Sequence, residues 1–126
     1  MKRSPALQPL SREHHTALSL ANASVRAAQS GDTETVKQAC QRALSLFNNE
    51  LDAHFEFEEQ SLLPLLTSPE TQVLAQRTQI EHQMLRALLD GLQQNDSETL
   101  STFGKYLAAH VRFEERELFP VLERLL

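Results

Sequence analysis

The chain has 126 residues, 40% of them hydrophobic and only 3 of them glycine, so it is long enough for one domain with a proper core. Its net charge of −5 gives no electrostatic reason to expect nucleic acid or an anionic membrane surface as a partner. The single cysteine, Cys40, excludes an internal disulfide; the start "MKRSPALQPLSREHH" is not apolar enough for a secretory signal, and no apolar run is long enough to cross a membrane, so a cytoplasmic protein is expected.

Low glycine with abundant Ala, Leu, Gln and Glu points to an all-helical chain, and four amphipathic stretches follow one another. The first, residues 11–30, opens with Ser11 as N-cap and carries the stripe Leu10, Ala17, Leu18, Ala21, Val25 and Ala28. It stops at "QSGD", where Gly31 suits the left-handed C-terminal position. Asp32 caps the second, residues 33–66, with Val36, Ala43, Phe47 and Leu51 on one face, and Pro64 should kink or end it. Ser68 with Pro69 opens the third, residues 69–94, whose stripe is Leu74, Leu85, Leu88, Leu89 and Leu92. Asp96 or Ser97 opens the fourth, residues 97–125, with Leu100, Phe103, Leu107, Leu118, Val121 and Leu125 facing inward. Short turns between such helices give an all-α, up-down-up-down four-helix bundle made of one domain, residues 1–126.

The histidines then fall on one level. Two residues of an antiparallel hairpin share a height when the turn lies midway between them. The midpoint of 54 and 82 is 68, that of 82 and 110 is 96, and that of 14 and 54 is 34, each at or beside a turn. Every helix therefore brings a histidine to a common height: His14 or its neighbour His15, His54, His82 and His110.

Two of them head a repeated phrase, "HFEFEEQSLLP" at 54–64 and "HVRFEERELFP" at 110–120. Residues four apart share a helix face, so His54 with Glu58 and His110 with Glu114 continue the inward stripes and point into the core. A lone core histidine is usually just hydrogen-bonded, and a lone His-x-x-x-Glu is often a surface pair. Two copies of the pair with further histidines at the same height are another matter. Buried carboxylates cost several kcal/mol unless their charge is compensated, and those stripes offer no lysine or arginine at that level. A cation is required, most simply two, bridged by the glutamates and capped by the histidines, with positions left open for a small ligand or a bridging oxo or hydroxo group. Imidazole with carboxylate suits iron, manganese or zinc over calcium or magnesium. Ferritin-like sites fit poorly, because they place glutamate before histidine at a spacing of three.

From "LSREHH" through "HFEFEEQSLLP" and "IEHQML" to "HVRFEERELFP", the chain resembles the hemerythrin-like, HHE cation-binding family of four-helix domains. The resemblance implies a non-haem di-iron site with His54, Glu58, His82, His110 and Glu114 as metal ligands, plus one histidine of the first helix. His14 is preferred, since it continues the stripe Leu10, Leu18, Ala21, Val25 and "EH" at 13–14 mirrors "EH" at 81–82; His15 is the alternative. Oxygen carriers of the family supply five histidines, two of them from the third helix. Here that helix offers only His82, with Arg86 four residues on, so the set looks more like the sensing and repair branches.

The leading expectation is a di-iron protein that binds or senses oxygen, nitric oxide, peroxide or iron itself. The alternatives are an enzyme-like role in peroxide or nitric oxide chemistry or iron-centre repair, and a metal-free helical interaction module. Phe55, Phe57, Phe113 and Phe119 are expected around the ligand segments, Tyr106 as a packing residue with its hydroxyl outward, Cys40 as a buried apolar thiol, and Glu56 off the inward face.

Overall fold

The computed structural model describes residues 3–126; Met1 and Lys2 of the basic start lie outside the described residues. Four helices build a bundle: α1 (Gln8–Gln29), α2 (residues 33–65), α3 (residues 69–93) and α4 (residues 97–125). The starts of α2, α3 and α4 are set by side chains that satisfy otherwise unpaired amides. Asp32 accepts from the Thr35 amide at 2.9 Å and Asp96 from the Thr99 amide at 3.0 Å, while Ser68 and Thr71 form a reciprocal capping box. Gly31 takes φ 71° and Asn95 takes φ 57° in the turns after α1 and α3.

α1 starts at Gln8, three residues before the expected Ser11 cap. Pro9 sits in the first turn, where a missing amide hydrogen costs nothing, and the Ser11 hydroxyl donates to Glu115 at 2.8 Å instead of capping.

α2 and α4 contain wide turns in which the amide pairs five residues back. Glu58–Leu62 and Glu114–Leu118 each begin on the glutamate of the repeated phrase, and a third such turn spans Phe47–Leu51. Pro64 and Pro120 stand six residues after those glutamates. A proline ring collides with the carbonyl four residues back in a regular helix, and a widened turn relieves that collision. After Pro64 the helix tightens to Leu65 and ends; after Pro120 it continues to Leu125. The extra residue in the α4 turn shifts the phase beyond it. Leu118, Phe119 and Leu122 face inward, whereas Val121 is only half-buried and Leu125 is 49% exposed, contrary to the expected stripe.

The buried apolar residues form two clusters. One holds Ala17, Ala21, Cys40, Phe47, Leu51, Leu85, Phe103 and Leu107 toward the Gly31 and Asn95 turns. The other holds Leu7, Leu10, Leu62, Leu66, Leu118, Phe119 and Leu122 at the opposite end. Each fully buried Leu or Phe contributes about 1.5–3 kcal/mol, so both ends of the bundle are held by apolar packing. α1 and α4 approach closely where Gly104 lies against the Ala21 carbonyl. Among the described residues no helix is long and apolar enough to cross a membrane. The polar side chains singled out in the sequence lie between the two apolar clusters.

Candidate metal centre

His14 on α1, His54 and Glu58 on α2, His82 on α3, and His110 and Glu114 on α4 converge there, none more than 3% exposed. His15 does not join them. It points outward and lines a surface hollow with Thr16, Ser19 and Ala23.

The six side chains fall into two overlapping groups. His14, His54, Glu58 and Glu114 offer one donor atom each within 4.8 Å of one another, and so do Glu58, His82, His110 and Glu114. The imidazoles are paired accordingly, His14 with His54 at 4.8 Å and His82 with His110 at 4.9 Å between ring centres. Both carboxylates span the two pairs. Glu114 Oε1 lies 2.8 Å from His14 Nε2 and its Oε2 lies 3.0 Å from His110 Nε2. Glu58 Oε2 lies 3.2 Å from His54 Nε2 and its Oε1 lies 3.0 Å from His82 Nε2.

Those spacings suit donors that share an ion. Two atoms each about 2.0–2.1 Å from a first-row metal, at right angles, stand about 3 Å apart. The angles agree: Glu58 Oε1, His82 Nε2, His110 Nε2 and Glu114 Oε2 are buried without a well-aligned hydrogen bond. Buried polar atoms in folded proteins almost always find a partner, so four orphans aimed at a common point ask for one. The donor set of imidazole nitrogen and carboxylate oxygen fits a transition metal.

The outer nitrogen of every ring is also engaged. His54 Nδ1 donates to Glu13 at 2.9 Å, His82 Nδ1 to Glu59 at 2.7 Å, His110 Nδ1 to Glu81 at 2.7 Å and His14 Nδ1 to Glu115 at 2.6 Å. A carboxylate only accepts, so each Nδ1 carries the hydrogen and each Nε2 is the atom turned inward. The four bonds close a ring: α1 supplies the carboxylate for the histidine of α2, α2 for α3, α3 for α4 and α4 for α1. The sequence reading did not pick out these four glutamates. Their signal was the dipeptides "EH" at 13–14 and 81–82 and "EE" at 58–59 and 114–115.

Without an ion, protons hold this cluster together. Burial disfavours charge on His54, yet the Glu114 and Glu58 carboxylates outweigh it and raise the ring to about 11. His110 is raised to about 10 against the same burial, chiefly by Glu114. His14 and His82 are also raised. The two carboxylates divide: burial and the nearby Glu114 charge push Glu58 up, while the surrounding imidazoles, His110 foremost, overcome burial and hold Glu114 well below the ordinary range.

The aromatic residues seal the site unevenly. Phe55 stacks on His82 at 3.9 Å and Phe119 on His14 at 5.1 Å, while Phe113 lies 6.4 Å from His110 under the Arg77 guanidinium. Phe57, expected among them, is 43% exposed, because the inward face of α2 runs through His54, Phe55 and Glu58 and leaves it outside. Tyr106 is 42% exposed and, with Glu81, Met84 and Ala109, walls a cavity of about 120 Å³ beside His110. Cys40 is buried in the apolar cluster, where burial raises its thiol, and Glu56 is exposed.

The family model described as the hemerythrin HHE cation binding domain matches residues 6–123. No curated protein and no solved structure matches the chain.

Proposed function

Since the chain belongs to the hemerythrin HHE cation-binding domain family, we propose that it is a non-haem di-iron protein that binds or senses a small molecule such as oxygen, nitric oxide or peroxide. The observation that carries this is the convergence of two buried donor groups that share Glu58 and Glu114, with the donor atoms of Glu58, His82, His110 and Glu114 left without a well-aligned hydrogen bond. His14 and His54 would hold one ion and His82 and His110 the other, with Glu58 and Glu114 shared.

Each ion would be held by two imidazole nitrogens and two carboxylate oxygens from the chain, a donor set small enough to leave room for a further small ligand. An iron pair supplies the redox chemistry and the affinity for small neutral ligands. The protein does the rest. The ring of outer glutamates fixes each imidazole in the tautomer that presents Nε2 inward. Phe55 and Phe119 cover two of the rings and keep water off them. The donor side chains are at most 4% exposed, so a bulky substrate has no room beside them, and a small molecule is the ligand class that fits.

The test is metal analysis of protein purified without added metal, together with its absorption spectrum. About two irons per chain with near-ultraviolet charge-transfer bands is the expected result. A chain that stays metal-free after incubation with ferrous salt refutes the reading. Turnover of peroxide or nitric oxide by the loaded chain would assign it an enzymatic role rather than sensing.

A further inference from the structure

The four glutamates of the outer ring are not alike. Glu59 is held by Arg86 at 2.9 Å, Glu81 by Arg77 at 2.8 Å, and Glu115 by Arg3 at 3.1 Å and the Ser11 hydroxyl at 2.8 Å. Glu13 bonds His54 and, among the described residues, meets no lysine or arginine. Thus both carboxylates behind the His82–His110 pair are neutralised by a guanidinium, whereas only one of the two behind the His14–His54 pair is. Asp52 and Glu117 lie beyond those arginines at 3.8 and 3.6 Å, but both are about half exposed, where water screens them.

From this asymmetry we infer that the two ion positions are inequivalent, and that the position between His14 and His54 is the tighter one, filling first and retaining the more highly charged ion, with Glu13 as the residue that makes it so. The inference rests on the two-ion reading above. A carboxylate that shares its charge with arginine is a weaker acceptor toward an imidazole Nδ1–H. Glu13 shares its charge with nothing but His54. It therefore pushes more electron density to the His54 Nε2 and adds an uncompensated negative charge one residue's breadth from the ion. Outer carboxylates of this kind typically change metal affinity by about 10- to 100-fold.

The whole chain, stripped of metal, is titrated with zinc by calorimetry while the histidine ring protons are followed by NMR. Two resolved binding steps are expected, the first equivalent shifting His14 and His54 and the second His82 and His110. Glu13→Gln keeps an acceptor for the His54 Nδ1–H and removes only the charge, so it should weaken the first step about 10- to 100-fold and leave the second unchanged. Arg86→Gln should tighten the second step and narrow the gap. A thermal melt of each metal-free variant checks that the bundle is intact. Two identical steps in the unaltered chain, or a Glu13→Gln variant that binds as the unaltered chain does, overturns this inference and leaves the two-ion reading standing. Failure to bind zinc or iron at all overturns both.

Discussion

Loading the site with metal should expel protons, and the structure sets how many. His54 is raised to about 11 and His110 to about 10, so at pH 7 both rings are charged in the metal-free chain. A metal needs the Nε2 lone pair of each. At least two protons should therefore leave per chain on loading, one from each ion position, so the combined constant for binding two ions should rise about 100-fold per pH unit between pH 6 and 8, about tenfold for each ion. The same shifts set the stability of the metal-free protein. A folded value above the unfolded 6.5 stabilises the fold fully below pH 6.5 and loses that contribution as pH climbs through about 10 and 11. Each raised ring thus adds stability to the metal-free chain near neutrality, set against the burial that pushes Glu58 up. Denaturant melts of the metal-free chain should weaken steadily from pH 7 to pH 10, while the loaded chain, whose rings hold metal instead of protons, should vary far less over that range. Calorimetry in buffers of different ionisation enthalpy counts the protons directly. Release of fewer than one proton per chain, with an affinity flat from pH 6 to 8, would refute the reasoning.

Glu58→Ala and Glu114→Ala should each abolish most metal binding, and elemental analysis showing two ions in both would rule out the shared-carboxylate arrangement. Removing Glu114 also leaves charged imidazoles buried without their partner, so the metal-free variant should be about 3–5 kcal/mol less stable in urea. His14→Ala should lose metal while His15→Ala keeps it, read by metal content per chain. A methyl group at position 104 would stand 2.6 Å from the Ala21 carbonyl and 2.8 Å from Val25; Gly104→Ala should therefore cost about 1–3 kcal/mol by denaturant titration, and an unchanged melt would mean that α1 and α4 are packed less tightly than the structure has them.

The common height of the histidines was legible in the sequence because four antiparallel helices joined by short turns convert residue numbers into heights by simple arithmetic. Rotation was legible only as far as regular helix persisted. His54 with Glu58 and His110 with Glu114 are joined by regular helix that ends where the wide turns at Glu58 and Glu114 begin, so period-four counting within each pair placed them inward, as found. Beyond Glu114 the extra residue broke the count, which is why Leu122 rather than Leu125 reached the core. The prolines that accompany those turns were visible in both copies of the phrase, but a proline alone announces a disturbance and not its size. The outer ring was harder. Which carboxylate meets which imidazole depends on how neighbouring helices are rotated against one another, and no single helix's periodicity contains that. Residues of the expected first-helix pair were separated the same way: His14 follows the buried Leu10–Ala17–Ala21 line, and His15, 100° further round, does not.

The ring of glutamates also explains how a pocket with six buried polar side chains can stay in order whether or not an ion is present. Each Nδ1–H is donated outward in the protonated ring and in the metal-bearing ring alike, so exchanging a proton for an ion changes only what sits on Nε2. The histidines need not move. The apolar clusters above and below, with Leu51, Leu85 and Phe103 on one side and Leu62, Leu118 and Leu122 on the other, do not depend on that exchange. Folding draws on those two clusters as well as on the charged layer between them, so the apolar packing holds the layer in place while its proton or its ion is exchanged. A small zinc-dependent domain that lacks such clusters unfolds without its metal; here the site is built in advance, and the strength of metal binding is set by the competition between cations and protons for the same four nitrogens.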